Sequence, residues 1–289
     1  MGHNTGMTPP ADLTRRSALG AGIGLMAGRG RRPERVVSLN PCLDVMLHAL
    51  ADRRQIAAVS HYSHDLSSSS LGPAGLTLPF TYGTAEEVLL LNPDLVLTSP
   101  YAAPATTTAL RRRGLRLETF GLPDTIAESQ AQVRRLAAVI GWPGRGEALC
   151  RRMDQALAEA APKHGERPLR ALVYQTGGFA VAPGTLMDEM LRRTGFANAA
   201  TDYGLTQTGD LPLERLIANP PEVLLAGQLR AGAPNWADRL LRHPALARIG
   251  PAMFRATLPQ RLTYCGGPVL IEAAVALADI RRRARMAQA

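Results

Sequence analysis

The fold is decided by the stretch Glu87-Val-Leu-Leu-Leu-Asn-Pro-Asp-Leu-Val-Leu97, because the chain repeats its pattern as Glu214-Arg-Leu-Ile-Ala-Asn-Pro-Pro-Glu-Val-Leu-Leu225. In each copy a Glu stands five residues before Asn-Pro, and an acidic residue and an apolar run follow. The copies are about one lobe apart, which indicates two similar lobes rather than an array of short repeats. Small ligands usually bind in clefts between domains, so the repeat favours a binding protein.

The residues around the first copy predict alternating helices and strands. Thr84–Leu91 reads as a helix that Thr84 caps and Pro93 ends, and Leu95–Thr98 reads as the strand after it. Strands that alternate with helices predict a parallel α/β sheet. The other predicted strands are Arg35–Leu39, Ile56–Ser60, Leu115–Phe120, Leu169–Tyr174 and Glu222–Ala226.

We therefore predict an α/β fold of two Rossmann-like lobes with parallel sheets, joined by a long rigid helix, with the ligand cleft between the lobes. The connector is the helical stretch that contains Thr125–Ile140 and Arg145–Ala160. The predicted boundaries are 1–34 for an export signal or disordered basic tail, 35–124 for the N-terminal lobe, 125–162 for the connecting helices and 163–289 for the C-terminal lobe.

Composition excludes several classes of protein. The formal net charge of +9 lies mainly in Arg residues near the two ends, and a nearly neutral middle argues against nucleic-acid binding. There is no apolar run long enough to cross a membrane. Catalytic motifs such as Gly-x-Ser-x-Gly, a phosphate-binding loop and His-Glu-x-x-His are absent from the sequence. We expect no enzyme and no catalytic cofactor.

The N-terminal segment resembles a twin-arginine export signal, which predicts a periplasmic location. Arg15 and Arg16 precede a stretch of small and apolar residues that extends to Gly28. Ala18 stands where a larger apolar residue is usual, and the Arg residues after Gly28 disfavour export. A disordered basic tail, or a chain start at Met7, remains the alternative.

In its overall pattern, the chain from Arg35 onward resembles the periplasmic substrate-binding proteins of ABC importers. It is most similar to the class with two α/β lobes and a rigid helix, which serves vitamin B12, haem and iron-siderophores. The features that carry this resemblance are the opening Arg35-Val-Val-Ser-Leu-Asn-Pro41, the segment Val59-Ser-His-Tyr-Ser63, both Glu-x4-Asn-Pro helices and the closing Gly-Gly-Pro from Gly266. The vitamin B12-binding member is closest by its Val-Ser-x-Tyr-Ser segment.

The resemblance implies that the ligand lies between the lobes, at the loops that follow the carboxyl ends of the strands. Carried over by position, the residues expected to contact it are Asn40, Cys42, Asp44, His61, Tyr62, His64, Tyr82 and Tyr101 in the first lobe, and Gln175, Phe179, Thr185, Tyr264 and Cys265 in the second. It also implies that Glu87 and Glu214 dock on the membrane permease, although each is alternatively a first-turn acid that stabilises its helix.

Thiolate and imidazole groups are metal ligands, so Cys42, His61, His64 and Cys265 are candidates to bind a metal or the iron of haem. Each has a simpler alternative, as a loop His bonded to backbone or as a buried apolar Cys. A Cys42–Cys265 disulfide is less favoured, because it would fix the cleft. Cys150, beside apolar helix residues, is expected in the core.

The ligand predicted first is cobalamin or a related corrinoid, because several Tyr residues fall in the cleft loops and flat ligands stack on aromatic rings. An iron-siderophore, which would need cleft Arg residues such as Arg230 and Arg261, and haem follow. The expected partners are the permease and ATPase subunits, and we expect a monomer. A receptor without a transport partner and a cytoplasmic metal-binding protein are the rival interpretations.

Overall fold

The computed structural model describes residues 31–66, 69–175, 178–227 and 253–288, with single positions 244, 246 and 249. The predicted signal in residues 1–30, the predicted helix Ala237–Leu241, Trp236 and Arg230 lie outside the described residues. Within this part of the chain, no helix combines the length and the apolar character that crossing a membrane requires.

The first sheet has five parallel strands in the order β3-β2-β1-β4-β5. We call this sheet with its helices lobe one. Its main core strands are short apolar runs, as expected for a sheet that is covered on both faces. Its elements are β1 (Val36–Ser38), α1 (Pro41–Leu50), β2 (Ile56–Ser60), β3 (Phe80–Thr81), α2 (Ala85–Leu90), β4 (Leu95–Thr98), α3 (Pro104–Arg112) and β5 (Leu117–Thr119).

The second sheet, with its helices, forms lobe two. Its order is β11-β10-β6-β7-β9, and β8 pairs with the first half of β6. β7 and β9 run antiparallel to their neighbours, so this sheet is mixed where a parallel one was predicted. Its elements are β6 (Leu169–Tyr174), β7 (Phe179–Ala180), α6 (Leu186–Arg193), β8 (Phe196–Asn198), β9 (Gly209–Asp210), α7 (Leu213–Ala218), β10 (Val223–Ala226), β11 (Phe254–Thr257) and α8 (Val269–Gln288).

Two helices, α4 (Ile126–Val139) and α5 (Pro143–Ala160), connect the sheets and pack against each other. The connector is thus a helical pair, of which α5 is the longer member. One apolar cluster runs from lobe one through the connector into lobe two. Its members include Leu47, Leu136, Met153, Leu225 and Leu277. Because close-packed interiors resist deformation, this shared core opposes a wide hinge motion between the lobes.

Candidate ligand-binding site

The carboxyl ends of the parallel strands in both sheets lead into the loops that carry the predicted ligand contacts. In lobe one, a shallow depression is lined by residues that include Cys42, Tyr101 and Leu122. In lobe two, a shallow depression is lined by residues that include Gln175 and Thr263. Each lobe therefore has a shallow depression among these loops.

Lobe one exposes a group of rings that we call the aromatic patch: His61, Tyr62, His64, Phe80 and Tyr82. The His61 ring lies 4.0 Å from the ring of Tyr62 and 5.1 Å from the ring of Tyr82. Phe80 lies 4.4 Å from His64 and 5.5 Å from Tyr82. Tyr62 is 51% exposed and Tyr82 is 66% exposed. Exposed groups of apolar rings commonly mark interaction surfaces, which makes this patch the candidate ligand surface of lobe one.

The register of two strands brings the aromatic patch together. β3 pairs with β2 so that Val59 lies beside Phe80 and Ser60 lies beside Thr81. A 3₁₀ turn begins at His61, directly after β2, so the ring of His61 is placed beside the residue that follows β3. Phe80 was not among the predicted contacts. Its spacing of two residues from Tyr82 was the signal, because alternate residues of an extended chain share a face.

Asp44 lies beneath the aromatic patch and not in the cleft. Its side chain has no exposed surface. Its Oδ2 accepts hydrogen bonds from the backbone N–H of Ser60, at 3.1 Å, and from the hydroxyls of Ser60 and Ser63, at 2.5 and 2.7 Å. Burial raises the pKa of the Asp44 carboxyl to about 6, against the lowering effect of these hydrogen bonds. Asp44 was expected to contact the ligand, but its side chain is buried. It instead holds the turn that carries His61 and Tyr62.

Cys42 and Cys265 form a disulfide bond, and their Cα atoms are 5.1 Å apart. The pairing that the sequence left as the less favoured alternative is therefore the one found, and neither sulfur is available as a thiolate ligand. The close approach depends on Gly267, which has a φ of +67° and lies so near α1 that a Cβ would be 2.7 Å from Cγ of Met46. The bond joins the first helix of lobe one to the loop before α8, and it fixes one side of the cleft.

A second contact between the lobes lies near the disulfide. The hydroxyl of Ser70 in lobe one donates a hydrogen bond to the carbonyl oxygen of Arg261 in lobe two, at 2.6 Å. Tyr264 is half-buried beside Ser70, and burial raises the pKa of its phenol. Tyr264 therefore lies at the contact between the lobes, whereas Tyr101 is 75% exposed and Phe179 is 44% exposed.

The candidate metal ligands do not come together as a set. The Nε2 atom of His64 is 2.9 Å from the carbonyl oxygen of Leu78, and both cysteines are in the disulfide. In the described ranges, no three His, Cys, Asp or Glu side chains form a metal-binding group. Both imidazoles lie in the aromatic patch, and the His61 ring contacts the rings of Tyr62 and Tyr82 at a tilt of 35° and 31°.

Three other predicted contacts also have structural roles. Asn40 caps α1, because its Oδ1 accepts from the backbone N–H of Cys42 and Leu43. Thr185 caps α6 in the same way, through the backbone N–H of Asp188. The side-chain amide of Gln175 donates to the hydroxyl of Thr263 at 3.2 Å, within the depression of lobe two.

The two predicted docking acids differ in their surroundings. Glu214 is exposed at the start of α7. Glu87 is half-buried, and its Oε2 accepts from the hydroxyl of Thr81 at 2.6 Å and from the backbone N–H of Tyr82 at 2.7 Å. These hydrogen bonds, led by that of Thr81, lower the pKa of Glu87. Its neighbour Glu86, which the repeated pattern does not single out, is the exposed acid of this turn.

Two α/β lobes joined by a helical pair are the architecture of two-lobed binding proteins. The model of the periplasmic binding protein family matches residues 36–253, and the chain belongs to that family. Membership of this family implies a periplasmic location. The family and the relatives described next are binding proteins rather than enzymes.

A similar curated protein is the cobalamin-binding protein of Halobacterium salinarum (strain ATCC 29341 / DSM 671 / R1), 27% identical over 199 residues. The match covers 68% of this chain and 54% of the relative, so the chain spans about half the length of that protein.

Solved structures with the same fold include the periplasmic heme-binding protein RhuT from Roseiflexus sp. RS-1 in apo form, with 27% identity and a TM-score of 0.67 over 86% of this chain and 98% of that chain. The periplasmic vitamin B12 binding protein BtuF of Vibrio cholerae has 19% identity and a TM-score of 0.64, over 88% of this chain and 98% of that chain. At that identity the second likeness shows the fold alone.

Proposed function

We propose that this protein is the substrate-binding component of an ABC importer and that it captures a flat metal chelate, cobalamin or a related corrinoid. The observation that carries the proposal is the aromatic patch of lobe one at the loops of the cleft. Large flat ligands gain stacking and apolar burial against such rings, and the Tyr hydroxyls supply hydrogen bonds. The cobalamin-binding relative supports this choice of ligand.

Haem is the second candidate, because His61 and the exposed Tyr62 and Tyr82 offer single axial ligands for iron. The likeness to a heme-binding protein supports it. An anionic siderophore is less favoured. The guanidinium of Arg261 donates at 2.6 Å to the carboxylate of Glu272, so this cation is already paired.

Equilibrium dialysis of the purified protein against cyanocobalamin and, separately, hemin tests the ligand. We expect cyanocobalamin to be retained with a Kd of about 1 μM or below. Tyr82→Ala should weaken retention about threefold to tenfold, since an aromatic pair contributes about 0.5–1.5 kcal/mol. Leu90→Ala is the control, because Leu90 is exposed on α2 and no aromatic-patch contact includes it. Retention of hemin alone would replace the corrinoid by haem, and retention of neither would overturn the proposal.

For delivery, we propose export by the twin-arginine-like signal and docking on the permease, which works with an ATPase subunit. The docking acids are then Glu86 and Glu214, because both are exposed while the carboxylate of Glu87 is bonded within lobe one. Exposed acids on a partner-facing surface steer and align a basic partner. This assignment moves the docking role predicted for Glu87 by one residue.

Ligand uptake by cells separates transport from a receptor that has no transport partner. The double variant Glu86→Gln with Glu214→Gln should lose most uptake and still bind the ligand in solution. Unchanged uptake would remove the docking role from these two acids. Uptake that does not depend on the protein at all would favour the receptor interpretation.

A further inference from the structure

The first turn of α2 carries two adjacent acids that face different surroundings. Glu86 is exposed, whereas the carboxylate of Glu87 turns back toward the chain before the helix. Thr84 caps this helix, since its hydroxyl oxygen accepts from the backbone N–H of Glu87 at 3.2 Å. The helix terminus therefore has its own cap, and the carboxylate of Glu87 makes a separate contact.

That contact holds the whole turn between β3 and α2. The Oε2 atom of Glu87 accepts from the hydroxyl of Thr81 at 2.6 Å and from the backbone N–H of Tyr82 at 2.7 Å. The same hydroxyl oxygen of Thr81 accepts from the backbone N–H of Gly83 at 3.0 Å. Hydrogen bonds to a charged acceptor are short and strong, so one carboxylate fixes the backbone on both sides of Tyr82.

The turn that Glu87 holds supplies a ring to the aromatic patch. Tyr82 lies 5.1 Å from His61, and His61 lies 4.0 Å from Tyr62. Tyr82 is 66% exposed, so its position depends on this turn and on its ring contacts with His61 and Phe80. Glu86 is thus linked to the aromatic patch in three steps. Its chain neighbour Glu87 binds the backbone of Tyr82, and the ring of Tyr82 contacts the ring of His61.

Lobe two lacks the corresponding contact in its described part. Glu214 occupies the matching place on α7, and there the described residues show no hydrogen bond to its side chain. Pro212 precedes α7, and no side chain caps that helix. The link between the helix and the ligand surface is therefore a feature of lobe one.

We propose that Glu87 is a positioning residue that couples docking of α2 on the permease to the hold of the aromatic patch on the ligand. This inference rests on the proposed function. When the permease engages Glu86, the first turn of α2 moves with it. Because the next carboxylate binds the backbone of Tyr82, that ring shifts away from His61 and the ligand is released. By linkage, a bound ligand changes the docking affinity by the same factor.

The test compares Glu87→Gln with Glu86→Gln, which remove the same charge from adjacent positions of one turn. Dissociation of cyanocobalamin is followed by its absorbance, or that of hemin if dialysis shows hemin to be the ligand. For Glu87→Gln we expect dissociation about fivefold faster or more, with little change in association, because coupling of this kind is at least about fivefold. Glu86→Gln should leave both rates within about twofold.

Addition of the detergent-purified permease and ATPase complex tests the coupling. It should accelerate release from the wild type, and it should accelerate release much less from Glu87→Gln. Thr81→Val provides a second variant that keeps the charge. Its effect on dissociation and that of Glu87→Gln should not add, because they act through one contact. Circular dichroism confirms that each variant is folded.

The outcomes separate the two proposals. A wild-type protein that binds neither probe refutes the proposed function. If the wild type binds and Glu87→Gln has the same dissociation rate and the same response to the permease, the coupling role is refuted and the proposed function stands. Additive effects of Thr81→Val and Glu87→Gln would also overturn the coupling role.

Discussion

The repeated sequence forms the same helix and strand in both lobes, but the two lobes differ in the contacts of its acidic residues. In both, a six-residue helix leads through Asn-Pro into an inner strand, β4 in lobe one and β10 in lobe two. Asp94 then accepts hydrogen bonds from the backbone N–H of Glu34 and Arg35, beside β1. Glu222 accepts one from the backbone N–H of Arg170 in β6. The acid after Asn-Pro thus ties its strand to the neighbouring strand in each sheet.

The difference lies in what else the acids do. Glu87 of lobe one holds the turn of Tyr82, whereas Glu214 of lobe two is exposed. Lobe one also buries Asp44, while lobe two pairs Glu222 with Arg167 near the surface. The repeated sequence therefore specifies a helix and a strand in each lobe, and the residues of the aromatic patch lie outside the repeat.

Removing the disulfide between the lobes should have the largest effect on stability. The disulfide closes a loop with a sequence separation of 223 residues. In the chain-entropy model, loss of so long a loop constraint lowers the free energy of unfolding by about 5 kcal/mol. We expect this loss in Cys42→Ser with Cys265→Ser, measured by urea unfolding. Wild type with reductant should behave alike, and reductant should leave the variant unchanged. Equal stability of oxidised and reduced wild type would contradict this.

Titration of Asp44, the buried acid of lobe one, should have the next largest effect on stability. The pKa of Asp44 rises to about 6 in the folded protein from 3.8. The folded state therefore holds this proton more tightly, and its stability falls as pH rises from about 4 to about 6. The fall is about 3 kcal/mol, because a tenfold change in proton affinity corresponds to about 1.4 kcal/mol. Urea unfolding of Asp44→Asn should lack this fall, while Asp124→Asn on the surface should retain it. The same slope in both variants would contradict the assignment.

Titration of Glu222, the paired acid of lobe two, should change stability with pH in the opposite direction. The hydrogen bond from Arg167 is the main cause that lowers the pKa of Glu222 to about 2 from 4.5. The stability that this ion pair contributes is fully present above about pH 4.5 and is lost as pH falls toward about 2. Because Arg167 is exposed, we expect about 2 kcal/mol rather than the full value that this lowering implies. Glu222→Gln should lose this amount at pH 7 in urea unfolding and lose less at pH 3. Arg116→Gln, in an exposed pair, serves as the control, and an equal loss there would argue against this role.

Much of the framework could be predicted from the sequence. Ile56–Ser60, Leu95–Thr98 and Leu169–Tyr174 are found at the predicted residues, because apolar runs of this length in an α/β pattern fit only a covered sheet. The strands β3, β7, β8, β9 and β11 were not predicted. They have two to four residues and lack such runs, so pairing and not local sequence defines them.

The site was predicted only in part, because its contacts join distant residues. The rings of His61, Tyr62 and Tyr82 fall in the loops expected from strand order. Burial of Asp44 depends on Ser60 and Ser63, which the sheet brings beneath the patch. Pairing of the cysteines depends on both lobes. Neither the burial of Asp44 nor the disulfide produces a periodic pattern in the sequence from which it could be predicted.

The smallest effect compares the two Asn residues of the repeat. Asn92 has a φ of +44°, the left-handed region that Asn tolerates better than most residues, while Asn219 has a φ of −138°. Asn92→Ala should therefore cost about 1 kcal/mol in urea unfolding, and Asn219→Ala should cost almost nothing. Asn92→Gly is the matched control and should restore most of the loss, because Gly adopts this conformation without a steric penalty. Equal costs for the two Ala variants would mean that the turns, and not only the helices, of the repeat are equivalent.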